Sequence, residues 1–139
     1  QAMGGAVVKS EKGWGLGVQQ YDLATCPSWM QNNIRHYTAT AIHQDQVTRA
    51  PAGATVLASN EFCPIAALLY GNPERPQALT VQSHPEFSPA FTADLIAERR
   101  GNIFPEADSD AALPTLDIPL NNREWADWVA RFYRAAQDG

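Results

Sequence analysis

What this sequence lacks narrows its possible roles. Only two cysteines, Cys26 and Cys63, occur in 139 residues, too few for a disulfide scaffold, so a reducing cytoplasmic setting is expected. No apolar run approaches the roughly 20 residues that a membrane-crossing helix needs. No basic segment followed by an apolar stretch marks a signal peptide. Lys and Arg total 10 against 15 Asp and Glu, a net charge of −5, which argues against nucleic acid or an anionic membrane as partner. There is no G-x-x-x-x-G-K phosphate loop, and neither cysteine sits in a glycine-rich elbow of the G-x-[SC]-x-G kind. No internal repeat or low-complexity segment is present.

What is there has an ordinary globular balance, 45% hydrophobic and 18% charged residues, enough for one domain or a large piece of one. Gln1-Ala2-Met3-Gly4-Gly5 reads as the last turn of a helix followed by a glycine cap. The expectation is a partial domain over residues 1–139, cut at its N-terminus and natural at its C-terminus.

Six short strands are expected in the first 84 residues: 5–10, 15–23, 36–43, 55–59, 65–70 and 78–83. Residues 25–33 read as a turn or short helix, and 44–51 as a polar loop. The run Gly71-Asn72-Pro73-Glu74-Arg75-Pro76 is a turn signal. Helices come afterwards. Ser88-Pro89 offers an N-cap with proline at the first helical position, and Gly101 can end that helix. Residues 104–119, with three prolines and several acids, read as a loop or lid. In the last helix Asn121 is placed to cap, Glu124 follows three residues on, and Trp125, Trp128, Val129, Phe132 and Ala136 form an apolar stripe that must pack on a sheet face.

Four features could carry chemistry. In Ser83-His84-Pro85-Glu86-Phe87, a histidine and a carboxylate lie two residues apart where a strand ends, and Pro85 forces a turn. A carboxylate beside an imidazole fixes its tautomer and stabilises its charged form, which is what a general base needs. The plain alternative is a solvent-facing turn. His43-Gln44-Asp45 repeats the pattern, and its alternative is a capped turn in which Asp45 accepts backbone N–H groups. Cys63 and Cys26, each followed by proline, read as small buried residues rather than nucleophiles. Trp14, Trp29, Trp125 and Trp128 read as packing residues rather than a ligand cage.

Together these segments resemble the class I, triad-type glutamine amidotransferases, in their GMP-synthase-like branch. Lys12-Gly13-Trp14-Gly15-Leu16-Gly17-Val18 is similar to the strand after the nucleophile helix. Ile42-His43-Gln44-Asp45-Gln46-Val47 is similar to the branch's S-H-x-D-x-V segment, with Ile42 in place of a small polar residue. The stretch from Ala58 to Ala67 resembles its strand pair, and Val81-Gln82-Ser83-His84-Pro85-Glu86-Phe87 its Q-x-H-P-E-F signature. The resemblance implies an α/β fold, the C-terminal part of a flavodoxin-like amidotransferase domain with a mixed sheet flanked by helices.

It further implies a Cys-His-Glu triad in which His84 is the general base and acid and Glu86 orients it. His43, Gln44 and Asp45 would border the glutamine pocket. The family's nucleophile elbow precedes a Q-A-M-G-G-like run, here Gln1 to Gly5, so the nucleophile is expected before Gln1 and this chain alone is expected to be inactive. No cofactor and no metal are implied. The partners implied are glutamine or another γ-glutamyl substrate and a synthetase domain or subunit that receives ammonia; the strand edges left without neighbours are expected to be covered by a partner segment, a second copy or a rearranged edge. Two alternatives stay open: a non-catalytic amidotransferase-like interaction module, and a metal-dependent hydrolase in which His43, Asp45, His84 and Glu86 are ligands.

Overall fold

A computed structural model describes residues 1–31 and 34–137, with the side chain of Ala136 left out. Seven strands precede three helices: β1 Ala6–Lys9, β2 Gly15–Leu23, β3 His36–His43, β4 Asp45–Arg49, β5 Ala54–Ser59, β6 Ala67–Asn72, β7 Arg75–Val81, α1 Pro89–Arg99, α2 Glu106–Ala112 and α3 Asn122–Gln137. The expected α/β class is what the structure shows, with every pairing between these strands antiparallel. Five strands form a sheet in the order β3-β2-β5-β6-β7, and β1 pairs with β4 in a separate ribbon. The sheet curls, so that just beyond β7 the backbone of His84 bridges back to Thr40 of β3.

The curled sheet separates two cores. On one side Tyr21, Tyr37, Leu57 and Leu69 meet Trp125 and Trp128 of α3. The Tyr37 ring stands edge-on to both tryptophans, at 5.1 and 6.0 Å. Truncating either tryptophan is expected to cost about 3–5 kcal/mol, the usual toll for a buried aromatic. On the other side Leu16 packs with Ile96, Phe104 and Ala112, flanked by Trp14 and Ile42. The four tryptophans therefore do pack. Trp125, Trp128 and Phe132 carry the stripe on α3, whereas Val129 is 37% exposed on its flank. Ala136, expected in the same stripe, lies outside the described side chains.

Several expectations need correction. Among the described residues seven strands form, not six, because residues 45–49 of the expected polar loop are β4. Its residues, Asp45-Gln46-Val47-Thr48-Arg49, are mostly polar, and among the described residues it pairs with the short β1 through pairs such as Val7–Val47 and Lys9–Asp45. Residues 104–119 are not a loop: they hold α2 and a 3-10 segment, Leu113–Asp117. The acids that suggested a lid sit at the start of α2, where Glu106 and Asp108 complement the helix dipole. Arg100 ties that helix down through Asp110 and Glu106. β6 begins at Ala67 rather than 65, and β7 begins at Arg75, so the hairpin turn is shorter than the glycine and prolines suggest. Cys26 is exposed, since the turn before the 3-10 piece Ser28–Met30 buries Pro27 instead. The rest of that expected turn, Asn32 and Asn33, lies outside the described residues, as does the polar end Asp138-Gly139.

The opening residues form a turn in which Gly4 takes φ +88° and its N–H reaches the Gln1 carbonyl at 2.9 Å. Open strand edges are partly covered by the chain itself. On β2, which meets β5 only at Asp22 and Leu23, the Val18 N–H donates to Thr115 Oγ1 at 2.8 Å and the Gln20 carbonyl accepts from Asn60 at 3.1 Å. Gly17 makes that approach possible: at φ +86° it lacks the Cβ that would lie 2.5 Å from Thr115 Oγ1. On β3 the outer edge is held by Asn121 and His84. Among the described residues the outer edge of β7 pairs with no strand.

Candidate active site

The site is built where β7 runs out. Ser83 turns its side chain inward and is buried, so by strand alternation His84 faces outward. The His84 N–H donates to the Thr40 carbonyl at 2.7 Å, which docks the turn on the edge of β3. Pro85 has no N–H to extend that ladder, and the chain reverses: the Phe87 N–H returns to the His84 carbonyl at 3.1 Å. The reversal carries Glu86 back beside the imidazole, with Oε1 2.8 Å from His84 Nδ1.

A carboxylate only accepts here, so Nδ1 carries the proton and Nε2 is left as the basic nitrogen. The His84 side chain is 34% exposed and that of Glu86 61%, so their pairing adds little stability. The Phe87 ring lies flat on the imidazole, 4.4 Å away and 8° from parallel, and meets Phe91 at 4.6 Å. Ser88 then caps α1 by accepting the Phe91 N–H, with Pro89 first in the helix, as its sequence signals indicate.

The second histidine turn has a different structure. His43 is 7% exposed, and its Nδ1–H donates to the Asp45 backbone carbonyl at 3.1 Å, not to the carboxylate. Its Nε2 is buried without a hydrogen-bond partner, against Gly15 and the edge of Phe62. Burial holds the His43 pKa below its ordinary value, the Asp45 carbonyl opposes this, and the nearby His84 adds to it. The Gln44 carbonyl is taken by the Ser10 N–H at 2.8 Å, and Asp45 pairs with Lys9. Both residues thus spend backbone groups on the β1–β4 ribbon, and the Asp45 side chain is exposed.

Cys63 is fully buried. Its thiol is pushed up to about 11 by burial, against a contact with the Ile65 carbonyl. No three His, Cys, Asp or Glu side chains among the described residues come together as a metal site, so His43, Asp45, His84 and Glu86 do not form the ligand set of the metal-hydrolase alternative. A cavity of about 200 Å³ opens between the β1–β4 ribbon and β6–β7, bordered by Val47, Ile65, Val81 and Gln82, and neither histidine lines it.

The sequence did not single out Thr40, whose carbonyl docks His84, or Asn122, whose Nδ2 donates to the Phe87 carbonyl at 2.9 Å. A buried threonine in a strand and an asparagine at a helix start carry no chemical signature of such roles.

Solved glutamine amidotransferases superpose on nearly the whole of this curled sheet and its helices, so the chain has the glutamine amidotransferase fold. The relatives bear this out. A glutamine amidotransferase-like protein of Schizosaccharomyces pombe is 28% identical over 138 residues, covering 95% of this chain and 52% of that protein. The chain thus spans about half the length of the curated relative it matches. A glutamine amidotransferase of Thermotoga maritima superposes with a TM-score of 0.64 at 17% identity, over 98% of this chain and 54% of that one. A Thermoplasma acidophilum protein described as a GMP synthase subunit superposes with a TM-score of 0.57 at 15% identity, over 98% of this chain and 53% of the other. No protein-family model matches the chain.

Proposed function

We propose that this chain carries the histidine and carboxylate of a glutamine amidotransferase site that hydrolyses a γ-glutamyl amide. The observation that carries the reading is the 2.8 Å contact between His84 Nδ1 and Glu86 Oε1, which leaves Nε2 basic on a stiff turn. The thiolate is assigned to a cysteine outside residues 1–139, because Cys63 is buried with a raised pKa and Cys26 lies in no glycine-rich elbow.

The thiolate attacks the amide carbonyl. The imidazolium of His84 gives its Nε2 proton to the departing ammonia, and a thioester remains. His84 then takes a proton from water, whose hydroxide attacks the thioester and releases glutamate, and the thiolate leaves. No metal or organic cofactor enters either step. The likeness to a GMP synthase component supports a synthetase domain or partner protein that receives the ammonia. The unpaired edge of β7 is assigned to a further segment or a second copy, and without the nucleophile this chain does not turn over glutamine.

The test is to treat the full-length protein with a glutamine-like electrophile and map the labelled residue. Labelling of a cysteine outside residues 1–139, blocked by glutamine and slowed in H84N, supports the proposal. No labelling together with no release of ammonia overturns it in favour of a non-catalytic interaction module.

A further inference from the structure

One hydrogen bond to Glu86 fixes a single atom of the His84 ring and leaves its tilt free. The tilt is set by Phe87, whose ring is stacked on the imidazole at 4.4 Å. What holds Phe87 is therefore a question about His84. Its N–H is taken within the turn, and its carbonyl accepts from Asn122 Nδ2 at 2.9 Å.

Asn122 is the first residue of α3, and the start of that helix does not float. Asn121 exchanges two hydrogen bonds with the edge of β3: Thr38 N–H to Asn121 Oδ1 at 2.9 Å and Asn121 N–H to the Thr38 carbonyl at 3.0 Å. Asn121 thus holds the capping position by its backbone, accepting the Trp125 N–H, while its side chain serves the strand. Two residues along the same edge, the Thr40 carbonyl receives the His84 N–H. The path runs β3, His84, Phe87, Asn122, Asn121 and back to β3, a closed loop with one rigid strand as its base.

The other end of the Asn122 amide, Oδ1, is buried without a partner. A buried acceptor left unsatisfied is unfavourable, and an apolar residue at this position would avoid that cost. The hydrogen bond from Nδ2 to Phe87 offsets it. We infer that Asn122 is a positioning residue for His84: by holding the Phe87 carbonyl it keeps the Phe87 ring on the imidazole and so aims Nε2. This deepens the proposed function and rests on it for its catalytic consequence, though not for its structural one.

The experiment compares the full-length wild type with N122A, with histidine labelled by nitrogen-15. Long-range proton–nitrogen spectra read the His84 tautomer, and proton–proton contacts read the stacking on Phe87. Wild type is expected to show the Nδ1–H tautomer and ring contacts to Phe87. In N122A both weaken, and the turnover number for glutamine hydrolysis falls about tenfold with KM within about twofold, as expected of a misaimed base. A lower Tm with unchanged His84 signals and unchanged turnover overturns the inference, since that is what a purely structural asparagine gives. Should N122A not fold, F87L takes its place: the same loss of the Nδ1–H tautomer supports the inference, and an unchanged imidazole overturns it. If the wild type releases no ammonia, the proposed function fails while the spectra still decide the role of Asn122.

Discussion

His43 ends a strand, His84 lies just beyond one, and each precedes an acidic residue by two positions. One is 7% exposed and bonded to a backbone carbonyl, and the other has a side chain 34% exposed and bonded to a carboxylate. The difference lies in the residue between histidine and acid. Gln44 lets the chain run on into β4, so Asp45 spends its backbone on His43 and Lys9 while its carboxylate faces solvent. Pro85 cannot extend a ladder, so the chain folds back and delivers the Glu86 carboxylate to the ring. The H-x-[DE] pattern alone therefore specifies no dyad; the turn does.

Exchanging the histidines should break the symmetry most. In the full-length protein, H84N or E86Q is expected to lower glutamine hydrolysis by about 10³-fold or more, the scale of losing a triad base or its orienting acid. Both should leave Tm nearly unchanged, because neither side chain is buried. H43Q should retain most of the rate, and a loss as deep as that of H84N, measured by ammonia release, would erase the contrast between the two turns.

Packing should separate the two turns next. A Cβ on Gly15 would lie 2.7 Å from the Phe62 ring and 3.2 Å from His43 Nε2. G15A is therefore expected to destabilise by about 1–3 kcal/mol, read from urea unfolding, through overpacking around His43. The linker is a subtler probe. P85Q gives the His84 turn the same middle residue as the His43 turn, and is expected to lower hydrolysis about tenfold by loosening Glu86. An unchanged rate in P85Q would show that proline is not what distinguishes the turns.

The smallest effect is one of pH. His43 has its folded-state pKa depressed below the ordinary 6.5. As pH falls below 6.5 the unfolded chain binds that proton first, so the stability His43 confers is full above 6.5 and is lost as pH falls toward and through its folded-state value. H43Q should remove this part of the slope, seen by comparing urea midpoints near neutrality and in mild acid.

The sequence made some of this legible. β2 and β3 appear with the expected bounds, because alternating and β-branched residues must line a half-buried face. β4 is hidden because Asp45-Gln46-Val47-Thr48-Arg49 has no continuous apolar face and takes its strand character from β1. α2 is hidden because prolines at 105 and 114 look like loop signals, although Pro105 stands just outside the helix and Pro114 is the second residue of the 3-10 segment. At the site, His84, Glu86 and Phe87 are neighbours in sequence and could be read together. Asn122 lies 35 residues from Phe87, and only the docking of α3 on β3 brings it there.

The contact of Thr115 with β2 has a consequence for self-association. A strand arriving from another molecule needs the Val18 N–H and the Gln20 carbonyl as its first rungs, and Thr115 and Asn60 already occupy them. Fibril-like stacking is closed along this stretch by two side chains rather than by a neighbouring strand. A T115V variant would reopen one rung, and Gly17 would then offer a groove without a guard.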